Sequence, residues 1–77
     1  MKLVHKDYYN GIKKESLKDK KFKLLFKKDN FQIEECFFNN KSFLFLIYLT
    51  NMNHMLPFLI TNTEKNNIIR NKSLKGI

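Results

Sequence analysis

The longest uncharged stretch of this sequence covers residues 42–63, between Lys41 and Glu64, and it constrains the fold more than any other feature. Its 22 residues are enough to cross a bilayer as one helix. Ten of them are Leu, Ile or Phe, which together favour insertion by roughly 3–6 kcal/mol. Asn51, Asn53 and His54 lie at the centre, however, where each unpaired polar group costs on the order of 1–3 kcal/mol. Because these contributions are of similar size, the composition leaves two folds open.

The first fold is a pair of strands in a soluble sheet, and the second is a membrane helix over residues 42–63 flanked by Lys41 and Lys65. Each apolar run inside the stretch, 43–49 and 55–60, is too short to cross a membrane alone. The strand pair is therefore favoured, and the single membrane span is kept as the alternative.

The residues before this stretch read as further strands. Residues 21–28 and 31–38 have alternating apolar and polar side chains, and they are separated by Asp29-Asn30, a pair that suits a tight hairpin turn. Asn39-Asn40-Lys41 predicts a second turn, and a break in the alternation at Glu35-Cys36 predicts a β-bulge. Pro57 restricts the run at 55–61 to an edge of the sheet or limits the strand to the first residues of the run, and Ile68-Ile69 predicts a short last strand.

These patterns predict an α+β fold that is mainly β, with a small antiparallel meander of three to five strands over residues 21–61. The chain is short enough for one small domain. Residues 1–20 form a polar segment that is helical or irregular, with a helix expected within 12–20, and residues 62–77 form a basic tail.

The strand over 43–49 is apolar on both faces. Phe43, Phe45, Ile47 and Leu49 point one way, and a smaller set points the other way, namely Leu44, Leu46 and Tyr48. Leaving that smaller face in water would forfeit about 4–8 kcal/mol, which rivals the stability of so small a core. Two kinds of cover are consistent with this: the N-terminal segment, or a protein partner, a second copy of the chain or lipid. The second possibility makes Leu44, Leu46 and Tyr48 a candidate interaction surface.

The formal net charge is +8, from fifteen Lys and Arg against seven Asp and Glu. It is unevenly placed, at +7 over residues 1–28, −3 over 29–64 and +4 over 65–77. A basic surface of this kind is typical of proteins that bind nucleic acid or another polyanion. A second explanation is coding bias, because fourteen of the fifteen cations are Lys, Asn is abundant and Ala is absent, as in an AT-rich genome.

If the charge is functional, the chain is a small basic accessory protein that binds nucleic acid or a ribonucleoprotein. The binding residues would be the lysines of the helical segment and first strand: Lys13, Lys14, Lys18, Lys20, Lys21, Lys23, Lys27 and Lys28. In a strand, Lys23 and Lys27 would share a polar face, and Tyr8 and Tyr9 would be available to stack on bases. Such a surface neutralises phosphates without reading base sequence.

No residue pattern predicts an enzyme, a cofactor or a metal site. His5, His54 and Cys36 are too few and too scattered for zinc. Glu34 and Glu35 are adjacent, so in a strand they face opposite sides and cannot form a catalytic pair. The single cysteine and the charged N-terminus, without a signal-peptide pattern, predict a cytoplasmic location.

Overall fold

A computed structural model of the chain describes residues 1–50 and 54–74, with side chains up to Asn71. In chain order the elements are β1 (Lys2–Leu3), α1 (Lys6–Lys18), β2 (Lys23–Lys28), β3 (Phe31–Phe38), β4 (Lys41–Leu49), β5 (Met55–Ile60) and α2 (Asn62–Leu74). The strands form one antiparallel sheet in the order β1-β5-β4-β3-β2. The predicted class, a mainly β α+β fold with an antiparallel sheet and an N-terminal helix, is confirmed.

Both predicted hairpin turns are present. Asn39 and Asn40 have φ angles of 53° and 60°, the left-handed values that a two-residue type I′ turn requires. Asp29, at the first turn, has a φ of 52°. Asn and Asp tolerate this region better than other non-glycine residues, so the local sequence fixes where β2, β3 and β4 reverse.

The predicted bulge at Glu35-Cys36 is wrong. β3 pairs with β4 without interruption, from Phe31 opposite Tyr48 to Phe38 opposite Lys41. The irregularity lies instead in β2, between Leu24 and Phe26. The alternation in β3 looked broken because Glu34, a charged residue, lies at a buried position of the strand.

α1 begins earlier than the sequence predicted, directly after His5, whose ring Nδ1 accepts a hydrogen bond from the Asp7 backbone N–H. It ends in a Schellman motif, in which the N–H groups of Lys20 and Lys21 donate to the carbonyls of Leu17 and Ser16. Lys20 supplies the left-handed residue of this motif, with a φ of 58°. Like-charge pairs on the outer face of α1 oppose the helix only weakly, so burial of its inner face determines its length.

Residues 62–74 are helical, so the prediction of a strand at Ile68-Ile69 is wrong, and a helix occupies most of the segment predicted as a basic tail. A capping box starts α2: Thr61 Oγ1 accepts from the Glu64 N–H, and Glu64 Oε1 accepts from the Thr61 N–H. The N-terminal amino group also bonds the Glu64 carboxylate. These bonds, led by the one from the amino group, lower the pKa of Glu64.

The two helices pack on opposite faces of the sheet. Tyr9 and Ile12 of α1 bury Cys36, Phe45 and Ile47. On the other face, Ile68 and Ile69 of α2 pack against a second cluster, formed by Phe31, Ile33, Leu46 and Ile60. The sheet is therefore the middle of three layers, and residues from both ends of the chain cover it.

The alternative of one membrane helix over residues 42–63 is wrong, because β4 and β5 occupy most of that stretch and pair with each other. Within residues 1–50 and 54–74, neither helix has the length and apolarity needed to cross a membrane. Pro57 lies in β5, which is not an edge strand as predicted, since β1 pairs with it. The Pro57 carbonyl accepts a hydrogen bond from the Val4 N–H. Because the nitrogen and the carbonyl of a strand residue point to the same side, the Pro57 nitrogen, which carries no hydrogen, also faces the short strand β1 and not β4.

Candidate functional site

The lysines predicted to bind nucleic acid are distributed over α1, the connection to β2, and β2 itself. Lys14 and Lys18 are exposed on α1, Lys20 and Lys21 are exposed in the connection, and Lys23 and Lys27 are exposed on β2, whereas Lys28 is half-buried. β2 is an edge strand, where lysines also discourage pairing with other chains.

Lys13 differs from the other candidates, because its ammonium group is used inside the fold. Its Nζ lies 3.3 Å from Glu34 Oε2 and 5.1 Å from the centre of the Phe22 ring. Glu34 is fully buried and also accepts hydrogen bonds from the Tyr9 hydroxyl, at 2.5 Å, and from Gln32 Nε2. We assign Lys13 to this buried cluster rather than to a phosphate-binding surface.

Lys23 and Lys27 do not share a face, contrary to the prediction from a regular strand. Lys23 is paired with Glu35, and Lys27 is paired with Gln32. Directly paired residues project to the same side of a sheet, and Gln32 and Glu35 are three positions apart, so they project to opposite sides. The bulge in β2 separates the two lysines, which therefore cannot act as one patch.

One end of the molecule does bring cationic and aromatic side chains together. A shallow groove between the α1–β2 connection and the β3–β4 turn is lined by Asp19, Lys21, Phe37, Phe38, Asn39 and Asn40. A larger groove of about 910 Å³ lies between α1 and the same hairpin, and Tyr8, Phe38, Asn39 and Lys41 are among its lining residues. The two grooves share Phe38 and Asn39. We call Tyr8, Lys21, Phe38, Asn39 and Lys41 the hairpin surface.

Sequence reasoning missed part of this surface. Phe38 and Lys41 flank the turn at Asn39-Asn40 and were read only as strand and turn residues. A hint was present, because an aromatic residue and a lysine directly beside a two-residue turn lie at the tip of a hairpin, where burial is limited. Of the two tyrosines proposed to stack on bases, Tyr8 is exposed, but Tyr9 is buried and hydrogen-bonded to Glu34.

The candidate interaction surface of Leu44, Leu46 and Tyr48 is largely covered within the chain. Leu46 is only 8% exposed and belongs to the cluster that α2 covers, and Leu44 packs against the same cluster. Tyr48 is 40% exposed. The second face of β4, which was expected to need a cover, is therefore covered by α2, a segment that the sequence predicted to be a basic tail.

Replacing Leu46 with lysine tests this cover. We expect the Leu46→Lys variant to lose about 1.5–3 kcal/mol of unfolding free energy, because a buried leucine is removed and a charge is placed beneath α2. Tyr48→Lys, on the same face but exposed, should change it by less than about 1 kcal/mol. Urea titration followed by circular dichroism measures both values, and equal losses in the two variants would show that α2 does not cover Leu46.

The other groups with potential chemistry are Cys36, Tyr9 and the two adjacent glutamates of β3. Cys36 is fully buried, and burial followed by the nearby Glu34 carboxylate raises the pKa of its thiol to about 11. Burial and the hydrogen bond to Glu34 also raise the pKa of Tyr9 well above its usual range. Across the part of the chain that the structure describes, no three His, Cys, Asp or Glu side chains come together as metal ligands. Glu34 and Glu35 bond on opposite faces, the latter to the Ser42 hydroxyl.

Comparison with protein-family models, with curated proteins and with solved structures gives no match for this chain.

Proposed function

We propose that this protein is a small, basic, non-catalytic accessory protein that binds nucleic acid through the hairpin surface. The observation that carries the proposal is the placement of the exposed Phe38 ring in both grooves, with Lys21 in one and Lys41 in the other. Cations beside exposed aromatic rings are the combination with which proteins hold single strands, since the cations meet phosphates and the rings meet bases.

The distribution of charge favours one end of the molecule as the binding site. The helices from the two cationic ends of the sequence, α1 and α2, pack on opposite faces of the sheet. Lys13 is bonded to Glu34, and the lysines of β2 are divided between two faces. Lys18 and Lys20 are also exposed and lie within three residues of Lys21, so they add positive charge near the same end of the molecule.

Titration of a fluorescent single-stranded RNA with the protein, followed by anisotropy between 50 and 300 mM salt, tests the proposal. We expect affinity to fall as salt rises, by about 0.7 in logarithmic slope for each phosphate neutralised. The double variant Lys21→Gln/Lys41→Gln should bind more weakly at low salt, with the slope reduced by about 1.4.

The matched control is Lys2→Gln/Lys6→Gln, which lowers the formal net charge from +8 to +6, as the test variant does. Both control lysines are exposed, and Lys6 lies beside Pro57 at the other end of α1. Equal weakening in the two variants would mean that net charge, not the hairpin surface, determines binding. Absence of binding by the unmodified protein at 50 mM salt would contradict the proposal altogether.

A further inference from the structure

Gly11 is placed where α1 forms a wall of the larger groove. It lies in the interior of the helix, where glycine is less favourable than any other residue except proline. The packing of the protein does not require glycine there, because a Cβ built on Gly11 would meet no heavy atom within 4 Å. The effect of the missing side chain is therefore on the groove, which it leaves wider.

The remaining walls of the groove suit a flat aromatic ligand. Tyr8 on the α1 wall is 45% exposed and Phe38 on the hairpin wall is 37% exposed, and Phe43 of β4 also lines the groove and is half-buried. A volume of about 910 Å³ is in the range of small-molecule sites and exceeds what one base needs.

The charged residues of the groove orient such a ligand. Lys41 lines the hairpin wall and Glu15 lines the α1 wall. A phosphate is attracted to the ammonium group and repelled by the carboxylate, whereas a base can donate its amino or imino hydrogens to the carboxylate. A nucleotide would thus enter with its base toward α1 and its phosphate toward Lys41.

From these observations we infer that the groove is a stacking site for an unpaired base of a single-stranded nucleic acid, and that Gly11 keeps it open. The inference rests on the proposed nucleic-acid binding and adds to it the class of ligand. A base-paired duplex can still contact the lysines of the hairpin surface, but its bases are stacked within the helix and cannot enter the groove.

The test fills the groove without weakening the fold. Gly11→Met places a flexible apolar side chain in it, and Asn10→Met adds the same side chain at the preceding, exposed position, which does not line the groove. Because methionine has a much higher helix propensity than glycine, Gly11→Met should melt at the same temperature as the unmodified protein or a few degrees higher. A loss of binding in this variant therefore cannot be attributed to unfolding.

Four probes separate the sources of affinity: a ten-nucleotide RNA, a duplex of the same length, inorganic polyphosphate and a free mononucleotide. Gly11→Met and Phe38→Ala should each weaken RNA binding about tenfold, the usual effect of losing one base-stacking contact, while duplex and polyphosphate binding change less than about twofold. Asn10→Met should bind all four probes as the unmodified protein does.

Three results would overturn the inference, and they have different consequences for the proposed function. Unchanged RNA affinity in Gly11→Met and Phe38→Ala would remove the stacking site but leave the electrostatic proposal intact. A mononucleotide that binds as tightly as the RNA would mean that the groove is a small-molecule site. If the unmodified protein binds neither RNA nor duplex nor polyphosphate, the proposed function fails together with the stacking site.

Discussion

Replacing Phe45 with alanine is expected to lower the free energy of unfolding by about 3–5 kcal/mol. The Phe45 side chain is fully buried at the centre of β4, between the sheet and α1. Its ring contacts Tyr9 edge-on, with ring centres 5.0 Å apart, and lies parallel to Phe43 at 6.3 Å. Truncation leaves a cavity that these rings cannot close without moving α1.

A loss of this size approaches the whole stability expected of a core in a chain of 77 residues. The Phe45→Ala variant should therefore unfold at very low urea concentration or be partly unfolded in its absence. Leu49→Ala provides the control, because Leu49 lies on the same strand but is 46% exposed, and should cost less than about 1 kcal/mol. Similar urea midpoints for the two variants would contradict the position of Phe45 in the core.

The second large effect is expected from Glu34→Ala, at about 3–5 kcal/mol. The buried Glu34 carboxylate accepts hydrogen bonds from Tyr9, Gln32 and Lys13. Removing it leaves the buried Tyr9 hydroxyl without an acceptor, and each unsatisfied buried group costs about 1–3 kcal/mol. The variant also loses the hydrogen bonds that Tyr9 and Lys13 of α1 make to β3.

The neighbouring Glu35 supplies a matched control. Its carboxylate accepts a solvent-exposed hydrogen bond from the Ser42 hydroxyl, so Glu35→Ala should cost less than about 1 kcal/mol. Measuring both variants by urea unfolding separates the effect of burial from the effect of removing a negative charge, since each raises the net charge equally. A Glu35→Ala loss as large as that of Glu34→Ala would show that the buried cluster does not stabilise the fold.

Much of the architecture was predictable from local patterns. The turns at Asp29-Asn30 and Asn39-Asn40 were identified because these residue types adopt left-handed backbone angles, and the strands between them because their apolar residues alternate. The sequence also contains a strong local signal for α2. Thr61 and Glu64 have the spacing of a capping box, and recognising it would have predicted α2 in place of a tail.

The candidate site was less predictable from the sequence than the fold was. The lysines were identified by composition, but composition does not distinguish Lys13, which bonds a buried carboxylate, from Lys21, which is exposed beside the hairpin. The hairpin surface combines residues from α1, from the connection to β2 and from the β3–β4 hairpin, which are up to 33 positions apart in the sequence.

By itself, the sequence determined the antiparallel hairpins of this protein and the apolar character of both faces of β4, because backbone preferences and side-chain alternation act between near neighbours. It also determined that the second face of β4 needs a cover. Only the tertiary structure decided that α2 provides that cover, that Glu34 is held inside the core, and that Phe38 shares one groove with Lys21 and another with Lys41. Each of these depends on contacts between distant segments, whose free energies are set by burial and hydrogen bonding across the fold and not by local sequence.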